Sequence, residues 1–283
     1  MATDIAADKA GVLVEALPYI RRFAGKIVVV KYGGNAMADD LSTFAEAIVL
    51  LHSVGMKVVV VHGGGPQIGD LLKRLGMAST FVDGLRVTDA DTLDVARMVL
   101  VGKVNREIVS AINVHGRLAV GVSGEDGALL HASARSPELG FVGDIEAVDP
   151  RLLTRLLDSD LIPVVATIGV DEGGQAYNIN ADTAAGAIAV ALQAQKLAYL
   201  TDVEGIRAEP SDPSTLLPTV TVDELDAMIA DGSVRDGMIP KVASCVAAVR
   251  AGVGHAHVLD GRISHVLLLE FFTRAGIGTM VTT

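Results

Sequence analysis

Two segments of the chain have consecutive glycines shortly after a run of valines. They are Val30–Asn35 (VKYGGN) and Val61–Pro66 (VHGGGP). Glycine lets the backbone approach a ligand and point its N–H groups at it, and the dipole of a following helix favours an anion. Because the first segment also carries Lys31, the pair predicts a site for phosphate or carboxylate. The alternative for either segment is a tight strand-to-helix turn without a ligand, and neither has the spacing of the usual nucleotide-binding glycine motifs.

Arg86 is a second candidate for contact with an anion. It lies in Gly84–Thr88 (GLRVT), just before a predicted helix start. A guanidinium there can hold a carboxylate through two parallel hydrogen bonds. The local sequence is equally compatible with a surface arginine that pairs with Asp89 or Asp91.

Polar side chains also precede two predicted apolar helices. Asn178–Asp182 (NINAD) presents two asparagines and one aspartate, of which at least one is expected to cap a helix. Lys241 ends the segment Gly237–Lys241 (GMIPK) and opens the second helix, where its charge opposes the helix dipole. That local cost favours an anionic partner for Lys241, although lysines at helix starts are common.

These residues need a scaffold that brings strand ends together, and the apolar pattern predicts one. Ile27–Val30 (IVVV) and Val58–Val61 (VVVV) read as strands buried on both faces, with an amphipathic helix between them over Leu41–Leu51. We therefore predict an α/β fold with a mainly parallel sheet, whose carboxyl edge is the usual place for ligands.

The same reading predicts several further elements. Helix-opening capping boxes are expected at Thr88–Asp91 and Thr221–Glu224, and an ordered surface loop or hairpin at Ala208–Pro218. The N-terminal segment has helical spacing, with a break or kink at Pro18. Further strands are predicted at Leu118–Val122, Ile162–Ile168, Leu197–Leu200 and Ala256–Leu259.

Composition excludes several classes of function. The 283 residues are 50% hydrophobic and 20% charged, so the chain can bury a real core and is not disordered. A net charge of −11 disfavours binding to nucleic acid and to anionic membranes. With Cys245 alone, neither an internal disulfide nor a cysteine-ligated metal centre can form. The start lacks the features of a signal peptide and no apolar stretch reaches membrane-spanning length, so we expect a soluble, cytoplasmic protein.

Six motifs carry a resemblance to a known family. KYGGNAM, HGGGPQI, GLRVT, NINAD, TDVEGI and GMIPK occur in the order and rough spacing of the amino acid kinase family, and the set resembles its N-acetylglutamate kinases from about residue 26 to the C-terminus. The resemblance implies a three-layer αβα sandwich with an open, mainly parallel sheet. It also implies three parts: a helical extension (1–24), a lobe that binds the acyl amino acid and dimerises (25–195), and a lobe that binds ATP and arginine (196–283).

The resemblance implies roles for individual residues. Lys31 and Lys241 match the lysines that stabilise the transferred phosphoryl group, and Asp182 the aspartate that positions them. Backbone donors are expected at Gly64 and Gly65, and the grip on N-acetyl-L-glutamate at Arg86 and Asn178. The residues that match the ATP surroundings are Gly34, Asp202, Val203, Glu204, Gly205, Ile206, Arg207, Ser233, Val234 and Arg235.

The two ends of the chain resemble the arginine-inhibited, hexameric branch of that family. The matching residues are Lys196, His257, Glu270 and Gly276, together with the N-terminal extension. The resemblance implies feedback inhibition by L-arginine in a homohexamer assembled from homodimers. The loop Ala208–Pro218 matches no motif of the family.

The implied chemistry agrees with these residue types. A γ-carboxylate is already ionised at pH 7, so its phosphorylation needs no general base, only positioning and neutralisation of charge. Mg²⁺ would arrive on the ATP, and no metal-binding residues are expected in the chain. Two alternatives stay open: a sister kinase that acts on glutamate or aspartate, and a non-catalytic amino-acid sensor, although the presence of Lys31 and Lys241 disfavours the sensor.

Overall fold

The computed structural model describes residues 2–33, 41–82, 84–234, 238–273 and 276–283. The helices are α1 (Ala2–Phe23), α2 (Leu41–Ser53), α3 (Gly65–Arg74), α4 (Ala90–Arg97), α5 (Asn105–Asn113), α6 (Arg151–Asp158), α7 (Ala181–Ala191), α8 (Val222–Ala230), α9 (Met238–Arg250) and α10 (Val266–Phe272). The strands are β1 (Ile27–Tyr32), β2 (Lys57–His62), β3 (Phe81–Val82), β4 (Leu85–Arg86), β5 (Ala119–Ser123), β6 (Leu130–Ala134), β7 (Val142–Val148), β8 (Ile162–Ala166), β9 (Ile168–Val170), β10 (Ala176–Ile179), β11 (Lys196–Thr201), β12 (Thr219–Thr221), β13 (His255–Asp260) and β14 (Thr279–Thr282).

An eight-stranded sheet organises the molecule in the order β12-β14-β13-β11-β1-β2-β8-β5. Its six strands from β13 to β5 are parallel to one another, and β14 runs antiparallel to β13. Helices cover both faces, so the predicted α/β fold with a mainly parallel sheet is confirmed. The boundary predicted near residue 195 falls just before β11, and β11 pairs with β1 in the same sheet.

The valine runs are continuous because the sheet separates two cores. Along β1, Val28 and Val30 pack into the core on one face, while Val29 packs into the core on the other. Since side chains alternate across a strand, a strand with a core on each side must be apolar at every position. The predicted strands at residues 118–122, 197–200 and 256–259 are likewise confirmed, with bounds shifted by one residue. The strand predicted at 162–168 is correct only as far as Ala166, where β8 ends, because Ile168 begins β9 of a different sheet.

A smaller closed sheet of β6, β7, β9 and β10 lies beside the main one, and β3 and β4 form a hairpin. Strands β6, β7 and β10 were not predicted, because polar residues interrupt their apolar pattern. β9 was predicted only at Ile168, as the end of the strand at residues 162–168. β10 ends at Ile179, directly before α7, and so places the NINAD segment at the rim of the main sheet.

Helix ends confirm some of the predictions and correct others. Thr221 and Glu224 form the predicted capping box of α8. At α4 the prediction of Thr88 as the cap was wrong: Asp89 accepts the hydrogen bond from the Thr92 N–H, and the Thr88 hydroxyl donates to the Arg86 carbonyl oxygen. Aspartate is a stronger N-cap residue than threonine, and Asp89 lies one residue later in the chain.

The N-terminal segment is helical as predicted, but the break that was one of the two outcomes expected at Pro18 does not occur, because α1 continues through Pro18 as one helix. Pro18 lies in its fifth turn, and the described helix does not break there. None of the described helices is long and apolar enough to cross a membrane. The loop at residues 208–218 is ordered as predicted, with Asp212 capping a short turn at Pro213–Thr215.

A π-helical segment, Met98–Val104, joins α4 to α5 without interruption. Such segments have one extra residue per turn and occur frequently at functional sites. Here the segment packs against the second glycine turn: a β-carbon added to Gly64 would lie 2.7 Å from Leu100 Cδ2 and 3.3 Å from Val104 Cγ2.

Candidate active site

Two lysines and one aspartate form an ion-pair cluster at the carboxyl edge of the sheet. Lys31, near the end of β1, lies 2.9 Å from Asp182 Oδ1. Lys241, in the first turn of α9, lies 2.8 Å from Asp182 Oδ2. Asp182 itself is in the first turn of α7, where the helix dipole favours a carboxylate. The three residues that the sequence analysis assigned to catalysis are therefore in direct contact, from three separate elements.

Burial and mutual charge set the ionisation of this cluster. Burial lowers the pKa of Lys31, and the Asp182 carboxylate opposes that shift. Burial alone would raise the pKa of Asp182, but the two ammonium groups outweigh it and hold that pKa below its usual range. The aspartate is thus ionised at neutral pH.

Hydrogen bonds to the backbone of Asp182 fix the position of the cluster. The hydroxyls of Tyr199 and Ser244 lie 3.2 and 3.0 Å from the Asp182 carbonyl oxygen and 2.6 Å from each other, so that one donates to the carbonyl oxygen and the other donates to the first hydroxyl. Lys241 Nζ also lies 5.5 Å above the Tyr199 ring, within range of a cation–π interaction. These contacts join β11 and α9 to the start of α7. Neither Tyr199 nor Ser244 was predicted, since their isolated positions in apolar segments give no local signal.

The first glycine turn is shaped around the Lys31 side chain. A β-carbon at Gly33 would lie 2.8 Å from Lys31 Nζ, so the missing side chain leaves room for the ammonium to fold over the turn. Gly34, predicted as a backbone donor to the nucleotide, lies outside the described residues. Gly64 and Gly65 of the second turn line the same pocket as Lys31.

Arg86 and Asn178 also line this pocket. Arg86 is only 9% exposed; it donates to the Gly65 carbonyl oxygen at 2.8 Å and to the Ser79 hydroxyl, and it lies 4.7 Å from the Phe81 ring. In the described part of the chain it forms no salt bridge with Asp89 or Asp91, the alternative that the sequence left open. Asn178 Nδ2 lies 3.4 Å from the Thr88 hydroxyl. Burial lowers the pKa of Arg86, which nonetheless stays charged at neutral pH.

The Lys31 pocket, as we call the space that these residues line, combines charged groups with apolar side chains. Its volume is about 230 Å³. Its apolar wall consists of Pro66, Ile68, Phe81, Leu85, Leu100, Val142 and Ile179. Among the lining residues that the structure describes, Asp182 is the sole carboxylate, and both lysines engage it.

A second pocket lies beyond the ends of β11 and β13. It is lined by the described residues that the sequence analysis assigned to ATP: Asp202, Val203, Glu204, Gly205, Ile206, Arg207, Ser233 and Val234. Arg235 lies outside the described residues. The structure adds Arg262, which the sequence analysis missed; it is held by Asp260 at 2.7 Å and reaches the pocket through a turn after β13. The pocket volume is about 340 Å³, within the ~300–1,000 Å³ typical of small-molecule sites.

A third pocket opens at the opposite, amino edge of the sheet. It brings together Lys196, His257, Glu270 and Gly276, the four residues assigned to the inhibitor. Lys196 Nζ donates to His257 Nε2 at 3.0 Å, and His257 Nδ1 donates to Glu270 Oε1 at 2.8 Å. We call this chain of hydrogen bonds the Lys196 cluster. Tyr19, Arg22 and Phe23 of α1 line the same pocket, whose volume is about 310 Å³.

Burial governs ionisation in the Lys196 cluster too. It lowers the pKa of Lys196 to about 8 and that of His257 to about 4. The pKa of Glu270 would be raised by burial, but the hydrogen bond from His257 and nearby charges hold it below its usual range. At pH 7 the cluster thus contains one ammonium, one neutral imidazole and one carboxylate. In the part of the chain that the structure describes, no group of three or more His, Cys, Asp and Glu side chains could hold a metal ion.

Comparison of the sequence with known proteins identifies its relatives. A profile of the amino acid kinase family matches residues 26–260. The acetylglutamate kinase of Symbiobacterium thermophilum is 55% identical over 287 residues, which cover 98% of each chain. That of Methanothermobacter thermautotrophicus is 48% identical, covering 96% of this chain and 98% of the relative.

Several solved structures are similar to this chain in fold. The N-acetylglutamate synthase of Neisseria gonorrhoeae, complexed with coenzyme A and N-acetyl-glutamate, superposes with a TM-score of 0.85 at 29% identity; the match covers 97% of this chain but 63% of the synthase. A second complex of that synthase, with coenzyme A and L-arginine, gives a TM-score of 0.81 at 30% identity, over 96% of this chain and 65% of the synthase. Carbamate kinase from Giardia lamblia, at 19% identity over 92% of this chain and 99% of its own, shares the fold with a TM-score of 0.71.

Proposed function

The chain belongs to the amino acid kinase family and is a phosphotransferase of the acetylglutamate kinase type, and from that premise we propose that it transfers the γ-phosphoryl group of ATP to the γ-carboxylate of N-acetyl-L-glutamate. The product is an acyl phosphate, N-acetyl-L-glutamyl 5-phosphate, and the reaction belongs to arginine biosynthesis.

The observation that carries this choice of acceptor is the charge pattern of the Lys31 pocket. Arg86 can hold the α-carboxylate at one end, with Asn178 beside it, while the lysines face the γ-carboxylate at the other. A free amino acid would also bring an ammonium group, which needs a carboxylate partner when buried. The described lining offers only Asp182, already bound to two lysines, whereas the apolar wall suits an acetyl group.

The transfer requires two anions to meet in line, and the lysine cluster supplies the charge for it. The γ-carboxylate attacks the γ-phosphorus of ATP, the bond to the β–γ bridging oxygen breaks, and ADP leaves. No proton moves in this step, so no general base is needed. Lys31 and Lys241 neutralise the charge that spreads over the transferred group, and Asp182 holds both ammonium groups in place.

The pocket beyond β11 and β13 is the proposed site of ATP. It lies along the same carboxyl edge as Lys31, and the loop Asp202–Arg207 forms one of its walls. Arg207 and Arg262 contribute positive charge there, although Glu204 and Asp260 pair with them. Mg²⁺ enters as a complex with the nucleotide, which matches the preference of that ion for substrate phosphates and water.

L-Arginine is the proposed feedback inhibitor, and the Lys196 cluster is its proposed site. Glu270 can accept the guanidinium, and Lys196 can hold the carboxylate. Support comes from the pocket and from the related gonococcal synthase, of which one structure contains L-arginine. Inhibition requires that arginine bind a less active arrangement more tightly than the active one.

The first helix is the proposed coupling element between subunits. Leu13 and Leu17 of α1 are 73% and 43% exposed and lie four residues apart on one face of the helix, while Phe23 at its end contacts the arginine pocket. An exposed apolar stripe of this kind needs a partner surface. We propose that it packs on a neighbouring dimer and closes a homohexamer of three dimers. Light scattering of the full chain and of Leu13→Glu tests this: the variant should have the mass of a dimer, and an unchanged mass would contradict the proposal.

An acceptor screen tests the activity itself. ADP release is measured with MgATP and, in parallel, N-acetyl-L-glutamate, L-glutamate and L-aspartate. The account predicts that the acetylated acceptor alone supports rapid turnover. Preference for a free amino acid would identify a sister kinase, and the absence of ADP release with any acceptor would favour the non-catalytic sensor.

A further inference from the structure

His62 is a buried histidine that the proposed chemistry leaves without a task. It ends β2 directly before the second glycine turn, and its side chain is fully inaccessible to solvent. Burial lowers its pKa to about 4, against a smaller opposing effect of its hydrogen bond to Gly63, and the nearby Arg106 charge adds to the lowering. The imidazole is therefore neutral throughout the physiological range and does not act as an acid or a base there.

The contacts of His62 select one of its two neutral tautomers. Nδ1 lies 2.9 Å from the Gly63 carbonyl oxygen, which can only accept, so the proton is on Nδ1. Nε2 then carries a lone pair, and Asn105 Nδ2 donates to it at 3.1 Å. The same amide nitrogen donates to the Val164 carbonyl oxygen at 2.8 Å, so both of its hydrogens are used. Arg106 donates to the Asn105 side-chain oxygen and thereby fixes the orientation of the amide.

This hydrogen bond determines where the peptide between Gly63 and Gly64 points. In a planar trans peptide the carbonyl oxygen and the following N–H point in opposite directions. Since the Gly63 oxygen faces the buried imidazole, the Gly64 N–H points away from it, at a turn that lines the Lys31 pocket. In the part of the chain that the structure describes, no turn or helix-cap hydrogen bond to the backbone uses this N–H as its donor.

Asn105 is itself held by unusual local structure. It is the first residue of α5, directly after the π-helical segment whose Leu100 and Val104 pack on Gly64. On its other side is β5, where Gly121 has no side chain; a β-carbon there would collide with the Asn105 and Arg106 side chains. The π-helical segment, the asparagine and the glycine turn therefore form one packed unit.

We propose that His62, held as its Nδ1–H tautomer by Asn105, is a positioning residue that aims the Gly64 N–H at the phosphoryl group during transfer. This inference rests on the proposed kinase function. The imidazole fixes a backbone donor in advance, so no reorganisation is needed when negative charge develops on the phosphoryl oxygens. Neither His62 nor Asn105 touches the reacting atoms.

The tautomer is measured directly and without any assay of activity. Long-range ¹H–¹⁵N spectra of the full chain, labelled with ¹⁵N-histidine, distinguish the two neutral tautomers and the imidazolium, and His62→Asn assigns the signal. We expect the Nδ1–H tautomer, unchanged between pH 5.5 and 8. An Nε2–H tautomer, or protonation in that range, would overturn the proposal even if the kinase function stands.

Kinetics test whether the tautomer matters for transfer. His62→Leu removes the donor to Gly63, whereas His62→Asn keeps an amide N–H near the position of Nδ1. We expect His62→Leu to lower kcat about tenfold or more with both KM values within about twofold, because the lost contact acts in the transition state. His62→Asn should recover most of that loss.

A matched control separates positioning from general destabilisation. Ile112→Val loosens the same helix, α5, at a fully buried site seven residues after Asn105. We expect it to lower the melting temperature while kcat stays within about twofold. Equal kcat values for the Leu and Asn variants of His62, or a loss shared by Ile112→Val, would reduce His62 to a structural residue.

Discussion

Lys31 and Lys196 are both buried lysines on neighbouring parallel strands, but they lie at opposite ends of the sheet. Lys31 is near the carboxyl end of β1, and Lys196 is the first residue of β11. Around Lys31, a second lysine and one aspartate are in direct contact, and Asp202 also acts to raise the pKa of Lys31. Around Lys196, a neutral histidine separates the ammonium from one glutamate, and Arg22 lines the same pocket. Two ammonium groups that share one carboxylate suit the proposed phosphoryl transfer, whereas charges of opposite sign set apart by an imidazole suit the proposed ligand that carries both signs.

The largest expected effect comes from replacing one lysine of each cluster, Lys241 or Lys196, with methionine. Methionine keeps an unbranched side chain of similar length but has no charge. Lys241→Met should lower kcat by about 10²–10³-fold, because it removes charge that acts mainly in the transition state. Lys196→Met should leave kcat without arginine within about twofold. Steady-state rates with MgATP and N-acetyl-L-glutamate measure both, and similar losses in the two variants would erase the distinction between the clusters.

Arg86 separates binding of the acceptor from phosphoryl transfer within the Lys31 pocket. Arg86→Lys keeps the charge but loses the planar fork that can hold the α-carboxylate, away from the reacting end of the substrate. We expect a higher KM for N-acetyl-L-glutamate, corresponding to a loss of about 1.5–3 kcal/mol, with kcat little changed. The KM for ATP serves as the internal control. An unchanged acceptor KM would mean that Arg86 only forms its hydrogen bonds to Gly65 and Ser79 and does not bind the substrate.

Glu270 tests the second site in isolation. Glu270→Gln keeps the shape of the side chain but removes the negative charge proposed to accept the guanidinium of arginine. The arginine concentration for half-inhibition should rise about tenfold or more, while the uninhibited kcat is preserved. Should the variant respond to arginine as the unmodified chain does, the guanidinium lies elsewhere.

The smallest expected effect is a pH dependence of inhibition. The pKa of Lys196 is lowered to about 8 by burial, so its charge is present at pH 7 and is lost as the pH rises through 8. Inhibition by arginine should therefore weaken between pH 7 and 9, by about three- to tenfold in half-inhibitory concentration. Lys196→Arg, which stays charged, is the matched control: its profile retains only the titration of arginine itself, and coincident profiles would exclude Lys196 from carboxylate binding.

The sequence was informative wherever the chemistry lies next to a strong local pattern. Glycine turns after valine runs located Lys31 and Gly64, and helix-start signals located Asp182 and Lys241. The side chains of each valine run alternate between the two cores, as expected in a parallel sheet covered on both faces. That sheet brings Lys31 and Gly64 together.

The rest depends on contacts between residues far apart in the chain. The His62–Asn105 pair spans 43 positions, and Arg262 reaches its pocket only because β13 lies beside β11. The π-helical segment gives no periodic signal that differs from an α-helix over seven residues. The ion pair between Asp182 and Lys241 likewise joins residues that are 59 positions apart in the chain.

Whether the phosphoryl group is transferred to the γ-carboxylate of N-acetyl-L-glutamate can be decided by identifying the phosphorylated atom. A single-turnover reaction with MgATP and N-acetyl-L-glutamate, carried out in hydroxylamine, converts an acyl phosphate into a hydroxamate that mass spectrometry can place on the α- or γ-carboxyl group. The account predicts the γ-hydroxamate, formed at least ~100-fold faster than from L-glutamate and lost in Lys241→Met. An α-hydroxamate, or equal rates with the free amino acid, would contradict it.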